Sequence, residues 1–138
     1  MDIEICLMSE EDHMQVLSLY ERVFNKKQKN DYHISDSNAI FVVAKTEGKV
    51  IGLVQLDIIT DVFKGIKYGY INSVCTDFNY RNMGVGDKMI KECTKIATNN
   101  NCDYIELTSS DSKVIAHRLY YKNGYVIRKT NVFRKELK

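Results

Sequence analysis

The sequence predicts an α/β (α+β) fold, a mixed, mostly antiparallel central sheet of about seven strands with helices on both faces. Three observations lead there. Apolar runs of strand length follow one another between Ile40 and Thr76, parted by turn signals at Glu47-Gly48 and around Asp61 to Gly65. Two stretches, Val16 to Phe24 and Val85 to Thr98, space their apolar residues at the helical period. A glycine-containing segment, Arg81-Asn82-Met83-Gly84-Val85-Gly86, joins the last of those strands to the second of those helices.

Taken in order, Ile3, Ile5 and Leu7 alternate with polar residues, as in an edge or half-buried strand. Ser9-Glu10-Glu11-Asp12 reads as an N-cap with acids in the first turn, and Val16, Leu17, Tyr20, Val23 and Phe24 continue at helical spacing. The polar stretch from Asn25 to Asn38 reads as a loop with a short helical turn. Ile40 to Ala44, Val50 to Ile59 and Tyr68 to Thr76 form an antiparallel meander. A helix from about Gly84 to Thr98 places Val85, Met89, Cys93, Ile96 and Ala97 on one face and stops at Asn99-Asn100-Asn101. Tyr104 to Thr108 is a short fifth strand. Val114 to Lys122 is a helix ended by Asn123-Gly124, and Tyr125 to Arg128 and Thr130 to Lys135 are expected as closing strands.

With 138 residues, no repeat and no low-complexity linker, the chain reads as a single domain over 1–138. Its 44% hydrophobic and 28% charged residues have the balance of a soluble globular protein. A net charge of +2 gives no electrostatic footprint for nucleic acid. No apolar stretch has membrane-spanning length, and the acidic start, Met1-Asp2-Ile3-Glu4, lacks the basic residues of a signal peptide. Cys6, Cys75, Cys93 and Cys102 show no metal-ligand spacing and sit in or beside apolar runs, so they read as buried free thiols and no metal is expected. Free thiols without an export signal suggest the cytoplasm.

The Arg81–Gly86 segment carries the first chemistry. The first N–H groups of a helix have no intrahelical partner, and the helix dipole adds positive potential there. Glycines let an anion approach the backbone, and Arg81 adds a planar cation at the mouth. The segment therefore suits a pyrophosphate. A third glycine for a dinucleotide fingerprint and a Gly-Lys-Ser/Thr for a P-loop are both absent. The plainer reading is a permissive loop with a solvated arginine. The second constellation is Ala116-His117-Arg118-Leu119-Tyr120-Tyr121-Lys122-Asn123-Gly124-Tyr125. As structure it is an amphipathic helix with a glycine stop. Adjacent Tyr120 and Tyr121 point roughly 100° apart, so the two serve different surfaces.

Together these segments resemble the GNAT superfamily of N-acetyltransferases. The family's Arg/Gln-x-x-Gly-x-Gly/Ala loop after the fourth strand is matched by Arg81, Gly84 and Gly86. Its later Ala-x-x-Phe-Tyr-x-x-x-Gly-Phe segment is matched at the same spacing by Ala116, Leu119, Tyr120, Gly124 and Tyr125. The element order agrees along nearly the whole chain.

The resemblance implies that acetyl-coenzyme A binds where the fourth and fifth strands splay. Its pantetheine arm would lie along Val74, Cys75 and Thr76. Its pyrophosphate would sit on the N–H groups of Asn82, Met83, Gly84, Val85, Gly86 and Asp87, flanked by Arg81. Lys113 and Lys122 are candidates for its other phosphates, with a solvated charge as the plainer reading of each. The implied reaction is direct attack of a primary amine on the thioester. A backbone N–H near Cys75 would stabilise the developing negative charge, and Tyr120 would assist the departing thiolate.

Many relatives carry a glutamate on the fourth strand as base, and here the equivalent position is Asn72. Three routes stay open: a water ordered by Asn72 and Ser73, Glu106 on the fifth strand, or an amine that arrives neutral. His117 could also act as a base near neutral pH, although a surface or cofactor-edge histidine is its plainer reading. With no acid at position 72, an acyl-coenzyme A sensor without chemistry is the alternative function. The acceptor would be a small-molecule amine, or a peptide met by the Lys26 to Asn38 loop. Relatives often dimerise, so a homodimer is among the expected assemblies.

Overall fold

The structure, a computed structural model, describes residues 1–138. Five strands, β1 (Glu4–Leu7), β2 (Ile40–Thr46), β3 (Lys49–Asp61), β4 (Ile66–Thr76) and β5 (Tyr104–Leu107), form one sheet in sequence order. The first four pair antiparallel, and β5 joins β4 in parallel. The helices are α1 (His13–Phe24), α2 (Val85–Asn99) and α3 (Val114–Lys122). A parallel neighbour needs a crossover, and α2 supplies the one between β4 and β5.

The expectation of helices on both faces follows from strand alternation. Adjacent residues such as Val42 and Val43 point to opposite faces and are both fully buried. On one face, Val42, Ala44, Ile51, Val54, Leu56 and Ile71 pack with Val85, Met89, Ile90 and Cys93 of α2. On the other, Val43, Val50, Leu53 and Cys75 pack with Val16 and Leu19 of α1. Burial on both faces explains why β2 and β3 read as continuous apolar runs. Each buried Val, Leu, Ile or Met among them contributes about 1.5–3 kcal/mol.

The expected count of seven strands is corrected to five. After Tyr125, whose N–H donates to the Tyr120 carbonyl, residues 126–138 form no ladder, and Val126, Ile127, Val132 and Phe133 are exposed. Alternation at Tyr125 to Arg128 and Thr130 to Lys135 marks a capacity to pair, but a strand also needs a neighbouring edge in register. The tail meets β5 through an ion pair, Arg128 Nη1 to Glu106 Oε1 at 3.6 Å.

Buried acids fix α1 to the sheet. Asp77, just beyond β4, accepts from Asn79 N–H at 3.0 Å and from Arg22 Nη1 of α1 at 3.1 Å. Asp12, at the start of α1, accepts from Ser9 N–H at 2.9 Å and pairs with Lys45 of β2 at 2.8 Å. Burial pushes both carboxyl groups up, yet these donors and cations outweigh it and hold both below the ordinary value. A depressed folded value stabilises the fold above the unfolded carboxyl range, and that stability is lost as pH falls through the folded value. Asp77→Ala should therefore cost about 2 kcal/mol in urea unfolding at neutral pH. Asp77→Asn should flatten the loss of stability between about pH 5 and pH 3. A wild-type acid limb retained in Asp77→Asn would assign that limb to other groups.

Candidate functional site

Strands β4 and β5 are paired only from Tyr68↔Tyr104 to Ile71↔Leu107. Beyond Ile71, β4 continues to Thr76 beside β3, and no strand lies along its other edge. At the parting, Gln55 pairs with Ser73 and Leu56 with Ile71, so Asn72 is a bulged residue without a partner. Bulges bend a strand and re-aim its side chains. The opening is a cleft of about 280 Å³ lined by Tyr20 and Phe24 of α1, Ile71 to Val74 of β4, Leu107 to Ser110, and Lys113, Ala116 and Tyr120.

The ladder phase decides which main-chain groups face the cleft edge. Asp77 N–H donates to the Ile51 carbonyl at 2.8 Å. Alternation in an antiparallel ladder then turns the N–H groups of Cys75 and Ser73 toward β3, and those of Thr76 and Val74 toward the open edge. Of the N–H groups near Cys75, those that face the open edge are therefore its neighbours' and not its own. The Cys75 side chain is buried in the α1 face, and burial pushes its thiol up to about 12. Cys93 behaves alike, again through burial, also at about 12. Neither is a thiolate near neutral pH.

Following β4, the chain makes a 3-10 turn at Phe78–Tyr80 and then the loop into α2. Asn82 and Gly84 adopt left-handed backbone, with φ of 63° and 78°. A Cβ at Gly84 would meet nothing within 4 Å, so that glycine is required by conformation and not by crowding. Helix α2 has no side-chain cap. None of the N–H groups from Asn82 to Asp87 donates to a protein acceptor, and the first to do so is Lys88, to Gly84 O at 3.0 Å. Successive free N–H groups around left-handed residues form an anion-binding concavity. Arg81 is exposed beside it. Its guanidinium lies 4.2 Å from the Phe78 ring centroid, and its Nε is 3.4 Å from Thr76 O.

Helix α3 closes the other wall. A Cβ on Gly86 would come within 3.1 Å of Leu119 Cδ2, so a glycine lets the first turn of α2 approach α3 closely. Asp87 secures the contact by accepting from Asn123 Nδ2 at 3.0 Å, while Lys91 at 2.6 Å and Lys122 at 3.7 Å balance its charge. Lys122 thus lies near Asp87, whereas Lys113 lines the cleft with its ammonium 5.5 Å from the Phe24 ring centroid. Tyr120 lines the cleft, while Tyr121 points to solvent. Desolvation raises the Tyr120 hydroxyl above its ordinary value, so it stays protonated near neutral pH. The Tyr125 ring lies 5.8 Å away, and its buried hydroxyl is pushed up to about 12, first by burial.

Asn72 and Ser73, expected to order a water, both line the cleft; the candidate base Glu106 does not and sits on β5, paired with Arg128. His117 Nε2 lies 3.2 Å from Ser109 Oγ. The loop from Lys26 to Asn38 holds the short turn at Ile34–Asp36, and its His33 ring packs 4.2 Å from that of His13 at the start of α1. The sequence showed Tyr20 and Phe24 only as apolar positions at helical spacing and gave no role to Asp57. The tyrosine and phenylalanine sit at the cleft end of α1, where the helical period alone cannot separate core from cleft. Asp57 of β3 accepts hydrogen bonds from Gln55 Nε2 at 3.3 Å and from Asn72 Nδ2. The only signal for it was an acid between Leu56 and Ile58.

Residues 7–125 match the model of the acetyltransferase (GNAT) family, and the chain belongs to that family. It is 34% identical over 90 residues to an uncharacterized N-acetyltransferase of Methanocaldococcus jannaschii; the match covers 64% of this chain and 54% of that protein, so the chain spans about half the length of its curated relative. A Trypanosoma brucei acetyltransferase has the same fold at TM-score 0.82, with 22% identity over 99% of this chain and 100% of that one. An aminoglycoside acetyltransferase from an uncultured soil metagenomic sample, crystallised with trehalose, aligns at TM-score 0.85 with 20% identity over 99% and 97% of the two chains. No helix is long and apolar enough to cross a membrane.

The free N–H groups make a direct prediction. A nucleoside diphosphate titrated into 15N-labelled protein should shift the amide resonances of Asn82 to Asp87 first. Shifts confined to other segments would remove this loop as the anion site.

Proposed function

Starting from that family membership, we propose that the chain is an N-acetyltransferase that moves an acetyl group from acetyl-coenzyme A to a primary amine by direct attack. The observation that carries this reading is the conjunction of an open β4 edge with the free N–H groups of the following loop. A pantetheine arm, itself a chain of amides, can add to such an edge as a strand would, through the outward main-chain groups of Val74 and Thr76. A pyrophosphate fits the N–H groups from Asn82 to Asp87 with Arg81 at the rim, and Lys113 is free to meet a further phosphate. The residues present therefore fit this co-substrate, which supplies an activated acetyl group as its thioester.

The chain's own groups do the rest. Val74 N–H, at the parting of the strands, is the donor best placed for the negative charge that develops on the attacked carbonyl oxygen. Tyr120 keeps its proton in the cleft and can donate a hydrogen bond to the leaving sulfur. A free tyrosine ionises near 10 and a thiol near about 8.5, so full transfer is mildly uphill, while a bond that strengthens as charge grows suffices. Cys75 and Cys93, held protonated by burial, are unsuited to carry the acetyl group, which supports one direct step.

Purified protein should bind acetyl-coenzyme A saturably in calorimetry and release free thiol when given the right amine. Initial-rate plots should intersect, because parallel lines mark an acylated enzyme. Tyr120→Phe should lower kcat about 100-fold with binding of acetyl-coenzyme A unchanged, and Arg81→Glu should weaken that binding. Full turnover in Tyr120→Phe would remove that role. Binding without thiol release across alkylamines, amino sugars, aminoglycosides and peptides would favour an acyl-coenzyme A sensor instead.

A further inference from the structure

An alkylammonium has a pKa of about 10.4 and no lone pair, so an acceptor amine must lose a proton before it attacks. No carboxylate or imidazole lines the cleft. One carboxylate and one imidazole lie one hydrogen bond behind its wall, Asp57 through Asn72 and His117 through Ser109, and the Tyr70 hydroxyl lies there too, through Thr108. The geometry points to Asp57 as the residue that draws the ammonium in and takes its proton, with Asn72 as the residue that orients it. This inference rests on the acetyltransferase reading.

Asn72 is the bulged residue at the point where β4 leaves β5. A carboxylate only accepts hydrogen bonds, so the amide of Asn72 must turn its nitrogen to Asp57 and leave its oxygen for the cleft. Gln55 Nε2 bonds the same carboxylate oxygen, Oδ2. Oδ1 accepts from no protein donor and remains for the substrate. Asn72 Oδ1 can then accept one ammonium N–H while Asp57 Oδ1 takes another proton, directly or through one water. The ionisable groups around this site are Tyr70, directly across from Asp57, Tyr68 two residues before it, and Glu106 beyond, whose charge is met by Arg128; from the helical walls Tyr20, Lys113 and Tyr120 face the same cleft. A carboxylate attracts a cation and accepts its proton, whereas a neutral imidazole does only the second. On that ground Asp57 is favoured over His117.

The step balances. The ammonium passes one proton to Asp57, and its freed lone pair forms the N–C bond. The C–S bond breaks with its electron pair going to sulfur. Sulfur takes a proton through Tyr120, which is restored by the proton that nitrogen sheds on becoming an amide. Asp57 returns its proton to water, so ammonium and thioester give amide, thiol and one released proton.

The test compares two acceptors on wild-type protein and Asp57→Asn, an alkylamine and a weakly basic amine already neutral at pH 7. Asp57→Asn should lose about 100-fold in kcat on the alkylamine at neutral pH. It should keep most of its rate on the neutral amine and regain rate on the alkylamine as pH rises. The exchange Asp57→Asn with Asn72→Asp, which moves the carboxylate onto β4, should restore part of the loss. Acetyl-coenzyme A binding should be unchanged throughout, which separates this role from a folding defect. Equal losses on both amines, a rise in KM alone, or a loss found in His117→Gln but not in Asp57→Asn would each overturn the inference. A wild-type protein that binds no acetyl-coenzyme A and turns over neither amine would overturn the acetyltransferase reading itself.

Discussion

The parting of β4 from β5 after Ile71 and Leu107 is the constraint on which the rest of the molecule turns. A sheet interior satisfies both edges of every strand, and leaving an edge open exposes main-chain donors and acceptors that water or a ligand must meet. Here the open edge sits between α1 and α3, so it faces a cleft and not bulk solvent. The bulge at Asn72 turns β4 away at the residue where β5 ends its pairing. The N–H groups that face the opening, the tyrosine on its far wall and the carboxylate behind Asn72 all take their positions from that departure.

Two other arrangements keep the opening in shape. Helix α1 supplies Tyr20 and Phe24 to the cleft, and it is tied to the sheet by Asp12–Lys45 near its start and Arg22–Asp77 toward its end. The acids are buried, whereas Arg22 is half exposed, so the Arg22 pair acts more as an orienting contact than as a large source of stability. The α2–α3 side is held by Asp87 and by the close approach at Gly86.

Much of this was legible in the residues. The strand–loop–helix passage through Arg81 to Gly86 could be read because glycine permits the left-handed backbone and because a helix always begins with unpaired N–H groups. Helix faces and the meander followed from periodicity. The closing strands did not, since Val126, Ile127, Val132 and Phe133 carry a strand-like pattern with no paired edge beside them. Cross-strand facts were also hidden. Asp57 and Asn72 stand fifteen residues apart and meet only through a register with one bulge, which no local pattern reports. The same phase turned the Cys75 N–H toward β3 and the N–H groups of its neighbours outward.

Asp87 bears on how the proposed anion site can hold an acid in the first turn of α2. A carboxylate there stabilises the helix through the dipole, yet alone it would repel a phosphate at the same terminus. Its oxygens are instead engaged by Lys91, Lys122 and Asn123, and the Lys91 and Asn123 hydrogen bonds hold the carboxyl below its ordinary value. Two ammonium groups against one carboxylate leave the local balance positive. The acid then serves as the joint that locks the start of α2 to the end of α3. Together with the close approach at Gly86, it fixes the wall bearing Tyr120 to the loop bearing the free N–H groups, so a ligand that spans both meets a surface already assembled.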